Sequence, residues 1–389
     1  MNYLLLVSIG ILLTRGHSKV NPEGYLSFAE ILEKNKYPYE NYTAITEDGH
    51  KLHVFRILPK NRTKNNGQPV YLQHGVVCTP EALLAGGLKG SSIYYLADRG
   101  YDVWVPNSRG SIYSKTHEVY DTNSEEYWNY TFEEQGRYDQ RAVIDLIVKV
   151  TGFQKIHYWS HSMGGTQMLA ALVLEPGYYR RHLHSAILVA PVVTFDVTRS
   201  TFIKILNYTK LLYILRDLGI HEFFSYSKIL SHIMLFLKDK LEPIFGFAMS
   251  LLTDENIKHT NISSLDVFIG HFPTNTSTKC FKHLIQLTEH KGFYKYREKA
   301  DDPIVPYDLS ALPDDIPLAI FIGKGDLVAS PESISWFQQQ MLALGKHVYV
   351  KVYSEFGHSA FIAPKENNLI FLEDTIQFFD NAERYGTSK

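Results

Sequence analysis

The chain has 389 residues, enough for two or three domains at about 150 residues each, or for one enzyme core carrying an insertion. Hydrophobic residues make up 45% and charged residues 21% of it, which excludes a disordered, collagen-like or coiled-coil chain. A formal net charge of −2 supplies no basic excess to neutralise a phosphate backbone, so nucleic acid is a poor partner.

At the start, Leu4 to Leu13 is an apolar run shorter than the roughly 20 residues that a membrane helix needs. It fits the apolar part of a secretory leader, with Gly16 or Ser18 as small cleavage-site residues, so residues 1–18 read as a signal peptide. Met1-Asn2-Tyr3 brings no Lys or Arg in front of the run, and an uncleaved anchor or a buried segment is the other reading. No later stretch reads as a membrane span. Asn-x-Ser/Thr sequons begin at Asn41, Asn61, Asn129, Asn207, Asn261 and Asn275. With a leader they predict a glycoprotein of the secretory route, secreted or lysosomal, with those six positions at the surface. Only two cysteines occur, Cys78 and Cys280, and no CxxC pair, which speaks against a cysteine zinc site or redox motif. Their positions do not decide whether they pair.

Tyr42 to Leu58 reads as a hairpin turning at Glu47-Asp48-Gly49. Val70 to Gln73 is a short strand running into His74-Gly75. Ser92 to Arg99 is helical and stops at Gly100, and Tyr101 to Pro106 is a strand. Tyr138 to Thr151 places apolar residues at 143, 144, 147, 148 and 150, the stripe of an amphipathic helix, closed by Gly152. Lys155 to Trp159 is a strand, Met163 to Leu174 a helix, and Ala186 to Val193 a strand. After a long gap come strands Ile316 to Ile322 and His347 to Tyr353, then a helix from Glu366 to Phe379. Such alternation predicts an α/β fold with a mostly parallel sheet covered by helices on both faces. The alternation breaks at Thr194, where segments such as LLYIL and PIFGFAMSLL are rich in helix formers and apolar residues. The expected organisation is a core of 19–193 and 308–389 with a helical cap at 194–307, too long to be a plain loop.

Ser160-His161-Ser162-Met163-Gly164-Gly165 lies between a strand and a helix. That is the context in which a serine with small neighbours forms a nucleophile elbow, although a helix N-cap is the simpler role for a serine there. Ser160 occupies the place of the usual first glycine, and its small side chain leaves the turn feasible. A neutral serine needs a base, and in this fold the order is Ser, acid, His. Asp326 follows a strand and a glycine turn, Gly323-Lys324-Gly325, and is the candidate acid. His358 follows Gly357 beyond the last strand and is the candidate base, because His347, the other histidine past Asp326, precedes its strand. An oxyanion hole requires two N–H donors. Met163, directly after the nucleophile, and Val76, in the His74-Gly75-Val76 loop, are the candidates.

With YPYENYTAITEDGHKLHVFRIL, YLQHGVVCTPE, LADRGYDVWVPNSRGSIYSKTH, IHYWSHSMGGT, SSLDVFIGHFPTNTSTK, GKGDLVASPES and FGHSAFI in this order, the chain resembles the acid lipase family of gastric and lysosomal acid lipases. The resemblance runs from about Lys36 to the last helix. It implies an α/β-hydrolase core with a mobile helical cap, the triad Ser162, Asp326 and His358, and oxyanion donors Val76 and Met163. It further implies hydrolysis of triacylglycerols or sterol esters at a lipid interface, without metal or cofactor and often at acidic pH. Three positions depart from the family pattern: Ser160 opens the elbow, Ala360 stands where an acid is usual two residues after the histidine, and Cys280 stands where cysteine is not typical. Positions 160 and 360 leave a second reading open, a lipid-binding or storage protein with little or no turnover.

Overall fold

The computed structural model describes residues 20–60, 67–240, 249, 253–255 and 257–385. The leader expected at 1–18 and the sequon at Asn61 lie outside the described residues. The expected hairpin is made by β1 (Tyr39–Ile45) and β2 (Lys51–Ile57), with Ile45 opposite Lys51 and Tyr39 opposite Ile57. Gly49 turns between them at φ 93, a conformation that a Cβ would strain.

Beyond the hairpin the chain winds β3 (Pro69–Gln73), β4 (Asp102–Pro106), β5 (Ile156–His161) and β6 (Leu183–Val189) into one sheet. After the insertion, which carries the two-residue strands β7 (Glu222–Phe223) and β8 (Thr276–Ser277), come β9 (Leu318–Gly323) and β10 (Tyr349–Tyr353). The order across the eight-stranded sheet is β1-β2-β4-β3-β5-β6-β9-β10. The pairs β1–β2 and β2–β4 are antiparallel, and every pair from β4–β3 to β9–β10 is parallel. Parallel strands covered on both faces need continuous apolar runs rather than alternation. The sequence supplies them: Trp104, Trp159, Ile187 and Ile320 are all fully buried. Between β4, β3 and β5 the strand order reverses, and in open α/β sheets the crevice at the carboxyl ends of such strands is where ligands bind.

Helix α1 (Ser92–Asp98) follows β3, α2 (Gln140–Thr151) precedes β5, and α3 (Met163–Leu174) follows it. Gly152 closes α2 at φ 77. Strand β6 starts at Leu183 and ends at Val189, short of the expected Val193. The chain leaves the sheet at Ala190, which takes φ 49 just before Pro191. The helix expected from Glu366 begins at Ile370, because a turn with Asn368 N–H on the Lys365 carbonyl comes first.

From 194 to 308 the longest elements among the described residues are helices: α4 (Thr201–Thr209), α5 (Leu211–Asp217), α6 (Lys228–Lys240) and α7 (Thr278–Gln286). Strands β7 and β8 pair antiparallel within this segment. Helix α7 buries Cys280, Phe281, Leu284 and Ile285, whereas α4 buries only Ile203 and Leu206.

Candidate active site

Strand β5 ends at His161 and α3 begins at Met163, so Ser162 alone makes the bend, at φ 57 and ψ −126. A non-glycine residue with positive φ costs of order 1–3 kcal/mol and persists only where its surroundings enforce it. Here Ser162 N–H donates to the Val189 carbonyl at 2.9 Å and Gly165 N–H donates to the Ser162 carbonyl at 2.9 Å. The neighbours leave no room for larger groups. A Cβ on Gly164 would sit 2.8 Å from Gln73 Cγ and 3.0 Å from Ser160 Cβ, and one on Gly165 would sit 2.6 Å from Pro191 Cβ. Ser160 is fully buried at the end of β5, so the elbow forms with a serine in the first small position.

Strand β9 delivers Asp326 through the Gly323-Lys324-Gly325 turn, and the segment after β10 delivers His358. Asp326 is 0% exposed. One carboxylate oxygen, Oδ1, accepts the N–H groups of Val328 and Ala329, both at 2.8 Å. The other, Oδ2, lies 2.8 Å from His358 Nδ1. His358 Nε2 lies 3.0 Å from Ser162 Oγ. Ser162, Asp326 and His358, separated by up to 196 positions in sequence, thus form one continuous hydrogen-bonded relay. Asp326 accepts from Nδ1–H, which leaves Nε2 as the acceptor for the serine hydroxyl. Burial by itself depresses the His358 imidazole. The adjacent Asp326 carboxylate, its hydrogen bond and the charge of Asp254 outweigh it, and the net shift is upward from the ordinary 6.5.

Two further histidines shape the site, and neither was singled out from sequence. His161 donates from Nε2 to the His358 carbonyl at 3.0 Å, with the two rings 4.7 Å apart. Burial, with His358 beside it, pushes its pKa down to about 3, so it is a neutral brace for the base loop. His74 is 1% exposed, and burial takes its pKa down to about 4. Its Nε2 accepts from Ser108 N–H at 3.2 Å, which puts the proton on Nδ1, 2.9 Å from the Gly75 carbonyl. That bond orients the Gly75–Val76 peptide. The peptide is trans, so the Val76 N–H points opposite to the anchored carbonyl. Gly75 packs against the serine, and a Cβ there would lie 3.1 Å from Ser162 Cβ. Met163 is the first residue of α3, and its N–H has no acceptor within the helix.

The sequon positions separate by exposure. Asn41 and Asn129 are exposed, and Asn207 and Asn261 are half-buried. Asn275 corrects the expectation of a surface position: it is 7% exposed, and its amide nitrogen donates to Glu222. A glycan on that nitrogen would displace Glu222. Cys78 and Cys280 are both free thiols. No helix among the described residues is long and apolar enough to cross a membrane.

A family model of the α/β hydrolase fold matches residues 83–364, and one for a partial α/β-hydrolase lipase region matches residues 28–87. The chain is 31% identical over 368 residues to mouse gastric triacylglycerol lipase, spanning 89% of this chain and 90% of that one. It is 32% identical over 368 residues to human lipase member N, spanning 89% and 88%. Among solved structures, a soluble variant of monoglyceride lipase from Saccharomyces cerevisiae matches with TM-score 0.55 at 15% identity, over 91% of this chain and 96% of that one. At that identity the likeness speaks for the fold.

Proposed function

We infer the reaction from one premise: the chain belongs to the α/β-hydrolase lipase family that contains gastric triacylglycerol lipase, and it is a serine carboxylic ester hydrolase, a lipase. We propose Ser162 as nucleophile, His358 as general base and acid, and Asp326 as the carboxylate that holds the imidazole tautomer. The observation that carries these roles is the relay of 3.0 Å and 2.8 Å contacts ending on a serine at a positive-φ bend.

In the proposed reaction Ser162 Oγ attacks the ester carbonyl carbon while its proton passes to His358 Nε2. The carbonyl electron pair moves onto oxygen, where the Val76 and Met163 N–H groups are the proposed donors. Collapse of that intermediate expels the alcohol, which takes the proton from His358 and leaves an acyl group on Ser162. Water, deprotonated by His358, then releases the fatty acid by the same sequence. Asp326 stays ionised and stabilises the imidazolium that forms in each half.

Residues 19–193 and 308–389 are proposed as the hydrolase core, and 194–307 as a cap over it. Ser162 is 6% and His358 8% exposed, so an ester reaches Oγ only when covering groups move aside. A neutral lipid ester, triacylglycerol or sterol ester, is the proposed substrate, met at a lipid surface. The exposed apolar side chains of α4 to α6 support that. The apolar run at Leu4 to Leu13 and the sequons at Asn41, Asn129, Asn207 and Asn261 support a leader, glycosylation and a secreted or lysosomal location. The decisive experiment compares wild type with Ser162→Ala on emulsified triolein, tributyrin and cholesteryl oleate from about pH 4 to pH 8, with organophosphonate labelling alongside. Labelling and turnover lost together in the variant are expected. Full turnover in Ser162→Ala would overturn the reading, and inactive wild type carrying bound lipid would favour lipid binding instead.

A further inference from the structure

Besides Asp326, a second carboxylate reaches the base loop. Asp254 comes from the insertion, far from either loop in sequence, and is 0% exposed. Its backbone pairs with Asp326 as an antiparallel bridge, extended by Leu327 N–H on the Thr253 carbonyl at 3.1 Å and Glu255 N–H on the Gly325 carbonyl at 2.8 Å. Its side chain turns to the other loop: Oδ1 accepts Ser359 N–H at 3.0 Å. Thr253 Oγ1 donates to Oδ2 at 2.7 Å and itself accepts from Ser359 Oγ at 3.0 Å. The approach requires Gly357, because a Cβ there would sit 1.8 Å from Asp254 Oδ1. One residue of the insertion therefore straddles the segments that carry the acid and the base.

We propose that Asp254 is a positioning residue for the reaction: its carboxylate locks the His358 loop to the Asp326 loop and stabilises the imidazolium formed when His358 takes the Ser162 proton. This rests on the hydrolytic reading above and deepens it. The physical argument turns on the charge. A buried carboxylate beside another carboxylate, with two hydrogen-bond donors and, among the described residues, no cation on it, costs stability rather than adding to it. A neutral asparagine would make the Ser359 contact without that cost. The charge gains a favourable partner only when His358 is protonated, which is the state reached during catalysis.

The groups facing His358 are few. Asp326 faces it from the acid loop, Asp254 from the insertion, and neutral His161 from the elbow. On its own loop, Glu355 is exposed and pairs with His259 at 3.3 Å. Arg199 lies against the acid loop, with Nη1 3.2 Å from Glu255 and Nη2 3.1 Å from the Lys324 carbonyl and 3.3 Å from the Asp326 carbonyl. Burial raises the Asp254 carboxyl above its usual value, so its charge and its effect on His358 fade as the medium becomes acidic.

The test measures kcat and KM of the full-length enzyme on a soluble short-chain ester across pH, for wild type, Asp254→Asn and Asp254→Ala. Removing the charge lowers the pKa of His358, so the acidic limb of kcat/KM is expected to move down by roughly 0.5 to 1 pH unit in both variants. Asp254→Ala, which also frees the base loop, is expected to lose roughly 10- to 100-fold in kcat with little change in KM. Asp254→Asn is expected to recover part of that loss, because its amide oxygen still accepts from Ser359. An unmoved limb, or kcat equal to wild type in Asp254→Ala, overturns the proposal. If the Asp254 variants do not fold, Thr253→Val takes their place. It keeps the charge but removes a hydroxyl that holds the carboxylate, and kcat should fall about threefold or more with the limb unmoved. Unchanged kcat there overturns the proposal as well. Ser162→Ala in the same assay separates the two ideas: if it is dead while the Asp254 variants behave as wild type, only this inference falls.

Discussion

Strands β5 and β9, which run into Ser162 and Asp326, have no exposed residue, whereas helices α4 to α6 leave Tyr208 88%, Ile229 75% and Ile205 54% exposed. About half of the large apolar side chains exposed among the described residues fall between Phe202 and Leu237. At the sheet edge nearly every polar atom of the relay has a named partner within 3.0 Å, and the energy spent is strain and desolvation. In the insertion the unfavourable term is apolar area left in water, at about 25 cal/mol per Å². The two regions suit the two tasks proposed for them, bond-breaking in a fixed geometry and contact with a lipid surface.

That contrast can be broken most sharply at the relay. Ser162→Ala or Asp326→Asn should lower kcat by roughly 10⁴-fold on soluble and emulsified esters alike, read by initial rates, with melting temperatures close to wild type. A variant that lost activity on emulsions alone would move Ser162 out of the chemistry. The next effect lies in the oxyanion loop. His74→Ala frees the Gly75–Val76 peptide and should cost about 10²-fold in kcat with KM nearly unchanged. An equal loss in KM would instead assign the loop to substrate binding.

The pH profile follows. His358 acts as base only when neutral, and its pKa lies above the ordinary 6.5. Turnover of a soluble ester should therefore fall about tenfold per pH unit below a limb that itself lies above that value. A limb of the free enzyme well below 6.5 would contradict the balance of charges at His358. The smallest effect is expected in the insertion. Ile229→Asp with Ile233→Asp, one helical turn apart on α6, should lower triolein emulsion turnover roughly tenfold. Tributyrin in solution and the melting temperature should hardly change. Equal losses on both substrates would remove the distinction between the two regions.

Much of the site was legible because local rules place it. The strand–turn–helix around Ser162, the glycine turn before Asp326 and the glycine before His358 each announce a loop at the carboxyl end of a strand. Boundaries failed where one residue's backbone decided them, as at Ala190, whose positive φ ends β6 early. Asn275 matched a sequon as well as Asn41 did, and only its neighbour Glu222 shows that the amide is engaged. His74 and His161 were named within their motifs, but the bonds they make to Ser108, the Gly75 carbonyl and the His358 carbonyl carry no signature along the chain.

By itself the sequence determined the α/β winding and the strand–turn–helix around Ser162, since these follow from hydrophobic periodicity and turn chemistry acting over a few residues. Tertiary structure decided which groups meet across a distance: the 2.8 Å and 3.0 Å contacts of the relay, the His74 anchor on the oxyanion loop, and the reach of Asp254 from the insertion to Ser359. The reason is one of range. Periodicity and turns are set between near neighbours along the chain, while hydrogen bonds and charge–charge terms fall off within a few ångströms in space, and chain order does not contain that separation.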